Sequence, residues 1–172
     1  NHQQVAIASK NINWIKRTGI QFHWNNENYK DFEQFLSNLS SAKRKLIRRE
    51  RKEIKKSSLS IKRLKGSEIN NKHIDSFYKF YSNTIEKRWG GSYLNKKFWH
   101  LLIERLSDRI LLVLAEDNNE YIAGAINLFD NQIIYGRNWG SSKNIKFLHF
   151  EVCYYQAIEF AIESGLKKVE AG

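Results

Sequence analysis

Two neighbouring ionisable side chains, His149 and Glu151, are suited to proton transfer. They stand at the start of an apolar segment, residues 148–156, and histidine and glutamate often serve as general acids or bases. A structural interpretation is equally open, in which Glu151 favours the positive end of a helix dipole and His149 caps or packs. The sequence therefore predicts His149 and Glu151 as catalytic candidates without deciding between the two interpretations.

Positive charge is concentrated in one short stretch. Twelve Lys and Arg stand against two acids between Lys43 and Lys65, whereas the rest of the chain holds seventeen basic and sixteen acidic residues. A helix with such a face can bind phosphate groups, and a solvated charged surface is the alternative. The residues predicted to bind an anionic donor or cofactor are Lys43, Arg44, Lys45, Arg48, Arg49 and, on a later strand, Arg137.

Aromatic and cationic side chains near glycines suggest a substrate cleft. Arg137 lies between Gly136 and Gly140 and shares a strand face with Trp139, although a salt bridge to Glu151 or Glu170 would also account for it. Residues 87–91 could form a cleft loop that stacks a ligand, or a helix C-terminus that favours cations. The predicted substrate-binding residues are Arg88, Trp89, Trp139 and Tyr155.

The remaining histidines and the single cysteine match no metal-binding or nucleophile motif. The five histidines show no metal-ligand spacing with cysteine or acidic residues, so no metal is expected. Cys153 lies in an apolar segment with no basic neighbour to lower its pKa, which favours a core position over a nucleophile. One cysteine permits no internal disulfide, and no apolar run approaches the roughly 18 residues of a membrane span. A soluble, cytoplasmic protein is therefore expected.

Alternating secondary structure must position these residues. Periodicity predicts helices over residues 29–39, 41–56, 73–87, 95–106 and 148–164, with Ser40 or Ser41 as the cap of the basic helix. Strands are predicted over residues 14–24, 60–64, 109–116, 121–129, 132–139 and 166–171. The fold class is α/β, a single domain over residues 1–172. Residues 12–65 would supply an N-terminal strand and the basic helix, and residues 109–172 the sheet core with a buried helix.

Several long motifs carry a family resemblance. They are Gln21-Phe22-His23-Trp24, residues 39–51, Lys87 to Gly90, Ala123-Gly124-Ala125-Ile126-Asn127, Tyr135 to Gly140, Leu148 to Gln156 and Val169-Glu170-Ala171-Gly172. With these motifs the chain, from about residue 18 onward, resembles a bacterial family of peptidoglycan biosynthesis/recognition proteins. That family belongs to the GNAT-like acyl-CoA N-acyltransferase superfamily, alongside the Fem-type aminoacyl transferases.

The resemblance implies a GNAT-like mixed sheet with flanking helices, incomplete at both termini. It also implies transfer of an acyl or aminoacyl group from acyl-CoA or a charged tRNA to an amine. The sequence departs from the pattern of these proteins in two ways. It lacks the Gln/Arg-x-x-Gly-x-Gly/Ala loop with which GNAT enzymes bind the CoA pyrophosphate. The family also continues past the position of Gly172 with a Gly-Glu-His-Lys segment. The alternatives are a non-catalytic module that binds tRNA or anionic cell-wall precursors, and a structural lobe. A transient contact with a membrane surface and the oligomeric state also stay open.

Overall fold

A six-stranded sheet organises the part of the chain that the computed structural model describes, residues 19–172 apart from the side chains of Arg88 and Trp89. The strands are β1 (His23–Asn25), β2 (Ser60–Lys65), β3 (Ile110–Asp117), β4 (Glu120–Phe129), β5 (Ile133–Ser141) and β6 (Lys168–Glu170). They lie in the order β1-β6-β5-β4-β3-β2, and only β5 and β6 are parallel. Of the strand predicted over residues 14–24, residues 14–18 lie outside the described residues, and in the described part the strand begins only at His23.

Five helices flank this sheet within residues 19–172. They are α1 (Phe32–Ser37), α2 (Ser41–Lys56), α3 (Asn71–Trp89), α4 (Lys96–Leu106) and α5, which consists of Leu148–Phe150, a π-helical turn Glu151–Tyr155, and Gln156–Glu163. Short polar side chains begin several of them, and Ser40 rather than Ser41 caps α2. Gly90 ends α3 in the left-handed conformation. The mixed α/β sheet with flanking helices is confirmed.

Both faces of the sheet are covered, which explains why β3 is apolar throughout. Ile110, Leu112 and Leu114 pack towards α3 and α4. Leu111 and Val113 point the other way, into a larger core formed with α1, α2 and α5. A strand buried on both faces needs apolar residues at every position rather than at alternate ones. Among residues 19–172, no helix combines the length and the hydropathy that a bilayer span requires.

Gly140 brings α3 directly onto β5. A Cβ atom at this position would lie 2.0 Å from the Phe80 carbonyl oxygen and 2.6 Å from the Tyr81 nitrogen. Only glycine permits such an approach between two backbones. The close packing fixes the position of α3 along β5. It therefore also fixes where Thr84 and Ile85, one turn further along α3, lie beside that strand.

Candidate active site

A cavity lies next to the point where the pairing of the parallel strands β5 and β6 ends. The two strands pair only from Ile133 with Lys168 to Tyr135 with Glu170, and the gap beyond them holds a cavity of about 440 Å³. Because the gap passes through the sheet, helices from both faces contribute to its wall. The lining residues are Thr84, Ile85, Ala125, Ile126, Asn127, Gly136, Arg137, Asn138, Trp139, His149, Cys153, Tyr154, Ala171 and Gly172.

A β-bulge shapes the strand side of this cavity. Asn127 pairs with Gly136 and Ile126 pairs with Asn138, so Arg137 is an extra residue in β5. Gly136 still packs closely on the end of the chain, because a Cβ there would lie 3.1 Å from the Ala171 carbonyl oxygen. From Arg137 onward, no strand of the described residues pairs with β5 on that side.

His149 lies in the cavity wall beside aromatic rings. Its ring centroid is 5.1 Å from that of Trp139 and 5.4 Å from that of Tyr154, in both cases edge-to-face. The residue is exposed to solvent. Two of the residues predicted from the sequence, His149 and Trp139, are therefore brought together in one site.

The π-helical turn of α5 adds Tyr154 to this site. In a regular α-helix, residues five positions apart differ in direction by about 140°. The wider hydrogen-bond spacing of Glu151–Tyr155, in which the Gln156 N–H donates to the Glu151 carbonyl, brings Tyr154 round to the side of His149. Burial raises the pKa of Tyr154, so its hydroxyl stays protonated at neutral pH. Periodicity alone could not have singled out Tyr154, although it lies in the segment predicted to begin the buried helix.

Cys153 also reaches the cavity, one residue earlier on the π turn. Burial raises the pKa of its thiol far above the ordinary value. A thiol with a raised pKa carries almost no thiolate at neutral pH and is a poor nucleophile. Among residues 19–172, no group of three His, Cys, Asp or Glu side chains is arranged to hold a metal ion.

Glu151 lies on the opposite side of α5, in the interface with α2. Its side chain is buried, the residue being only 4% exposed, and its two oxygens accept hydrogen bonds from Arg51 at 3.1 and 3.2 Å. The Gln156 side chain donates a further bond of 2.7 Å. Arg51 is shared with Glu159 at 2.9 Å. Glu151 does not line the cavity that contains His149.

The same interface holds the predicted substrate-binding residue Tyr155. Its hydroxyl donates a hydrogen bond to Glu50, which is buried. Burial, followed by the neighbouring Glu50 carboxylate, raises the pKa of Tyr155. Burial lowers the pKa of Arg51, but the hydrogen bonds and charges of Glu159 and Glu151 outweigh it and leave that pKa above its ordinary value. These four charged groups and one phenol fasten α2 to α5.

The cations predicted on α2 have several different environments. Arg44 donates to the Ser37 and Leu39 carbonyl oxygens at the end of α1, and Arg48 pairs with Glu33 at 2.6 Å. Lys43 lines an apolar groove, Arg49 lines a separate depression, and Lys45 is exposed. None of the five lines the cavity with His149.

Arg137 is both paired and placed at the cavity. Its guanidinium lies 3.6 Å from the carboxylate of Glu170, one of the two salt-bridge partners that the sequence suggested. It also stacks over the Tyr135 ring, 5.1 Å from the centroid. Because its side chain is partly exposed, Arg137 remains accessible to an anion that enters the cavity.

The predicted residues Arg88 and Trp89 form the last turn of α3 rather than a loop. Their side chains lie outside the described part of the structure, so their substrate role stays a prediction. Lys87, just before them, lines a second depression of about 290 Å³, which shares Thr84, Trp139 and His149 with the cavity. A cation is therefore present at the side of the site that α3 borders.

The family comparison covers the whole chain. The model of a FemAB-like family, described as peptidoglycan biosynthesis/recognition, matches residues 1–172. A comparison with proteins of curated function finds no match.

Solved structures with a similar fold include acetyltransferases. An aminoglycoside acetyltransferase from an uncultured soil metagenomic sample, in complex with sisomicin, is 15% identical with a TM-score of 0.51, over 67% of this chain and 77% of that one. The C-terminal domain of a proposed lysylphosphatidylglycerol synthetase from Agrobacterium fabrum is 9% identical with a TM-score of 0.60. L-PGS from Bacillus licheniformis is 10% identical with a TM-score of 0.59. Each of the last two matches covers 88% of this chain, which spans 45% of that chain's length. These likenesses confirm the expected GNAT-like fold.

Proposed function

Because the chain belongs to the FemAB-like family of peptidoglycan biosynthesis and recognition, we propose that it transfers an acyl or aminoacyl group to an amine of a peptidoglycan precursor. The observation that carries this proposal is the cavity between β5 and β6. It holds a histidine and a protonated tyrosine beside strand β5 within one space of about 440 Å³. These groups can serve as general base and general acid in acyl transfer to an amine.

Each group has a step in the reaction. The amine nitrogen attacks the carbonyl carbon of the donor, and His149 accepts the proton that the nitrogen loses. Backbone N–H groups of β5 in the cavity wall donate hydrogen bonds to the carbonyl oxygen as negative charge develops on it. The bond from carbon to the leaving sulfur or oxygen then breaks, and the Tyr154 hydroxyl protonates the leaving atom.

The donor is an anion in either form that the family resemblance suggests, since acyl-CoA and aminoacyl-tRNA both carry phosphates. Arg137 in the cavity and Lys87 in the adjoining depression are placed to pair with them. The cations of α2 lie beyond the other side of α5, the side that carries Glu151 and Tyr155. Their assignment to the donor stays a prediction, and Arg137 and Lys87 are the better-placed candidates.

Transfer by the full chain tests this function. Labelled acetyl-CoA and aminoacyl-tRNA would be supplied in turn as donors, with amine-bearing peptidoglycan precursors as acceptors. We expect one donor to be turned over, and His149→Gln to lower kcat by about 10²–10⁴ with little change in KM. His100→Gln is the matched control, because His100 lies on α4 and bonds to Asp75 at 2.8 Å, away from the cavity.

Two results would count against the proposal. Full turnover by His149→Gln would remove that residue as the base. Binding of donor or precursor by the wild-type chain, without transfer from either donor, would instead favour a binding module.

A further inference from the structure

Three large hydrophobic side chains are exposed around one groove, on the side of the molecule that carries α2. Ile20 is 85% exposed, Phe22 is 77% exposed and Phe150 is 47% exposed. All three line a groove of about 600 Å³ between the β1 segment, α2 and α5. Its inner wall is apolar, with Leu46 and Ile158 among the residues that form it. An exposed apolar cluster of this kind marks a site of interaction.

The position of Phe22 is set by the sheet. The Ala171 N–H donates a hydrogen bond of 3.2 Å to the Phe22 carbonyl oxygen, immediately beside the pairing of His23 with Glu170. Phe150 is held on α5, with its ring 5.7 Å from that of Tyr154. The backbone at Phe22, just before β1, is therefore tied to the sheet by a hydrogen bond, and Phe150 belongs to α5; both side chains are exposed.

Cations surround this apolar cluster. Lys43 forms part of the groove wall, and Arg49 and Lys146 line a neighbouring depression between α2 and the start of α5. Within residues 19–172, none of these three cations pairs with a carboxylate. The acids nearby are engaged: Glu50 accepts a bond from Tyr155, and Glu53 lies 3.4 Å from Lys56. The docking face is defined as Ile20, Phe22, Phe150, Lys43, Arg49 and Lys146.

The geometry points to an anionic lipid bilayer as the partner of this docking face. A bilayer offers apolar chains directly beneath negative headgroups, which matches apolar side chains bordered by unpaired cations. A second copy of the chain would bring the same cations against each other. Nucleic acid would pair with the cations and stack on the phenylalanines, but it would leave Ile20 and the apolar groove without a partner.

Vesicle co-sedimentation of the full chain tests this inference. We expect binding to phosphatidylglycerol vesicles and none to phosphatidylcholine vesicles. Phe22→Ser with Phe150→Ser should weaken binding at least about ten-fold, since two aromatic side chains lose their apolar burial. Lys43→Glu with Arg49→Glu should weaken it at least about 25-fold, at about five-fold for each of the two basic residues removed. High salt should weaken wild-type binding without abolishing it, because the apolar contribution is not screened.

Matched controls lie on α4, away from the docking face. Phe98 is 39% exposed and Lys97 is exposed, so Phe98→Ser and Lys97→Glu should bind vesicles within about two-fold of wild type. Circular dichroism would show that every variant is folded.

Four outcomes would overturn the inference. One is vesicle binding that the docking-face variants leave unchanged. Another is binding to RNA alone, insensitive to the two phenylalanine substitutions, which would make the face a nucleic-acid surface. A third is a dimer that becomes monomeric in the phenylalanine variants without any vesicle binding. The last combines two results: the phenylalanine variants are less stable than wild type, and the wild-type chain binds no vesicles. Together they would mean that another part of the chain fills the groove. None of these experiments depends on acyl transfer, so the inference and the proposed function fail separately.

Discussion

Glu151 is buried between two helices, where other side chains supply its hydrogen bonds. It accepts two hydrogen bonds from Arg51 and one from Gln156. Residues two positions apart on a helix do not face each other, and accordingly His149 and Glu151 diverge to opposite sides of α5. Adjacent ionisable residues in a sequence thus need not form one site. Glu151 therefore belongs to a buried ion pair outside the cavity, and its catalytic role stays a prediction.

Glu151→Gln separates a structural role from a catalytic one. The substitution keeps the shape of the side chain but leaves Arg51, among residues 19–172, with Glu159 as its only charged partner. We expect the free energy of unfolding to fall by about 1–3 kcal/mol in denaturant titrations, because one member of a buried, hydrogen-bonded pair is lost. Transfer activity below the unfolding transition should persist.

Glu159→Gln is the matched control for this pair. The Glu159 side chain is more exposed than that of Glu151, and its substitution leaves the Arg51–Glu151 bonds in place. Glu159→Gln should therefore lower the free energy of unfolding by less than Glu151→Gln does. Loss of activity in folded Glu151→Gln at undiminished stability would make Glu151 a catalytic group after all.

At the scale of elements, the sequence predicted the positions of the helices and of the five strands beyond β1 to within a few residues. Apolar periodicity and short polar caps sufficed for that, as at Ser40 before α2. The π turn of α5 and the bulge at Arg137 were not predictable, because periodicity assumes a regular repeat and each of these features departs from it. The two irregularities are what bring Tyr154 and the free edge of β5 into the cavity. The candidate site was therefore predicted only in part.

Gly140→Ala tests how closely α3 is packed on β5. The new methyl group would lie 2.0 Å from the Phe80 carbonyl oxygen, and backbone atoms cannot rotate away as a side chain would. We expect the free energy of unfolding to fall by about 1–3 kcal/mol or more. Because α3 also carries Thr84 and Ile85 into the cavity wall, transfer activity should fall as well.

The control for this substitution is Gly91→Ala. Nothing lies within 4 Å of a Cβ atom at Gly91, and its φ angle is not positive, so its effect should be small. Equal stability of the Gly140 and Gly91 variants would show that α3 can move away from the sheet at little cost.

At the scale of the whole molecule, the main feature is the concentration of positive charge on α2. The sequence places nearly all of the net charge of +11 in residues 43–65. The structure then divides the cations of α2 into those that fasten it, such as Arg44, Arg48 and Arg51, and those that face solvent. Composition could locate the charge but not this division, which depends on which acids of α1 and α5 come within reach.

Lys52→Glu tests whether repulsion among the exposed cations of α2 lowers the stability of the protein. Lys52 is exposed on α2, four residues after Arg48 and four before Lys56, so it adds to a like-charged column that repels itself. A glutamate there would pair with Lys56 and ease the repulsion. We expect the melting temperature to rise by about 1–2 °C at low salt and the gain to shrink as salt screens it.

Lys167→Glu, on the exposed turn between α5 and β6, is the control, because it changes net charge equally outside the basic stretch and outside any helix. A rise in melting temperature confined to Lys52→Glu would place the repulsion within α2 itself. Weaker binding of that variant to anionic vesicles would show that the mutually repelling cations contribute to membrane binding. An equal gain in both variants would assign the effect to net charge alone. The absence of any gain would mean that solvent already screens the cations of α2, and their concentration there would then carry no cost in stability.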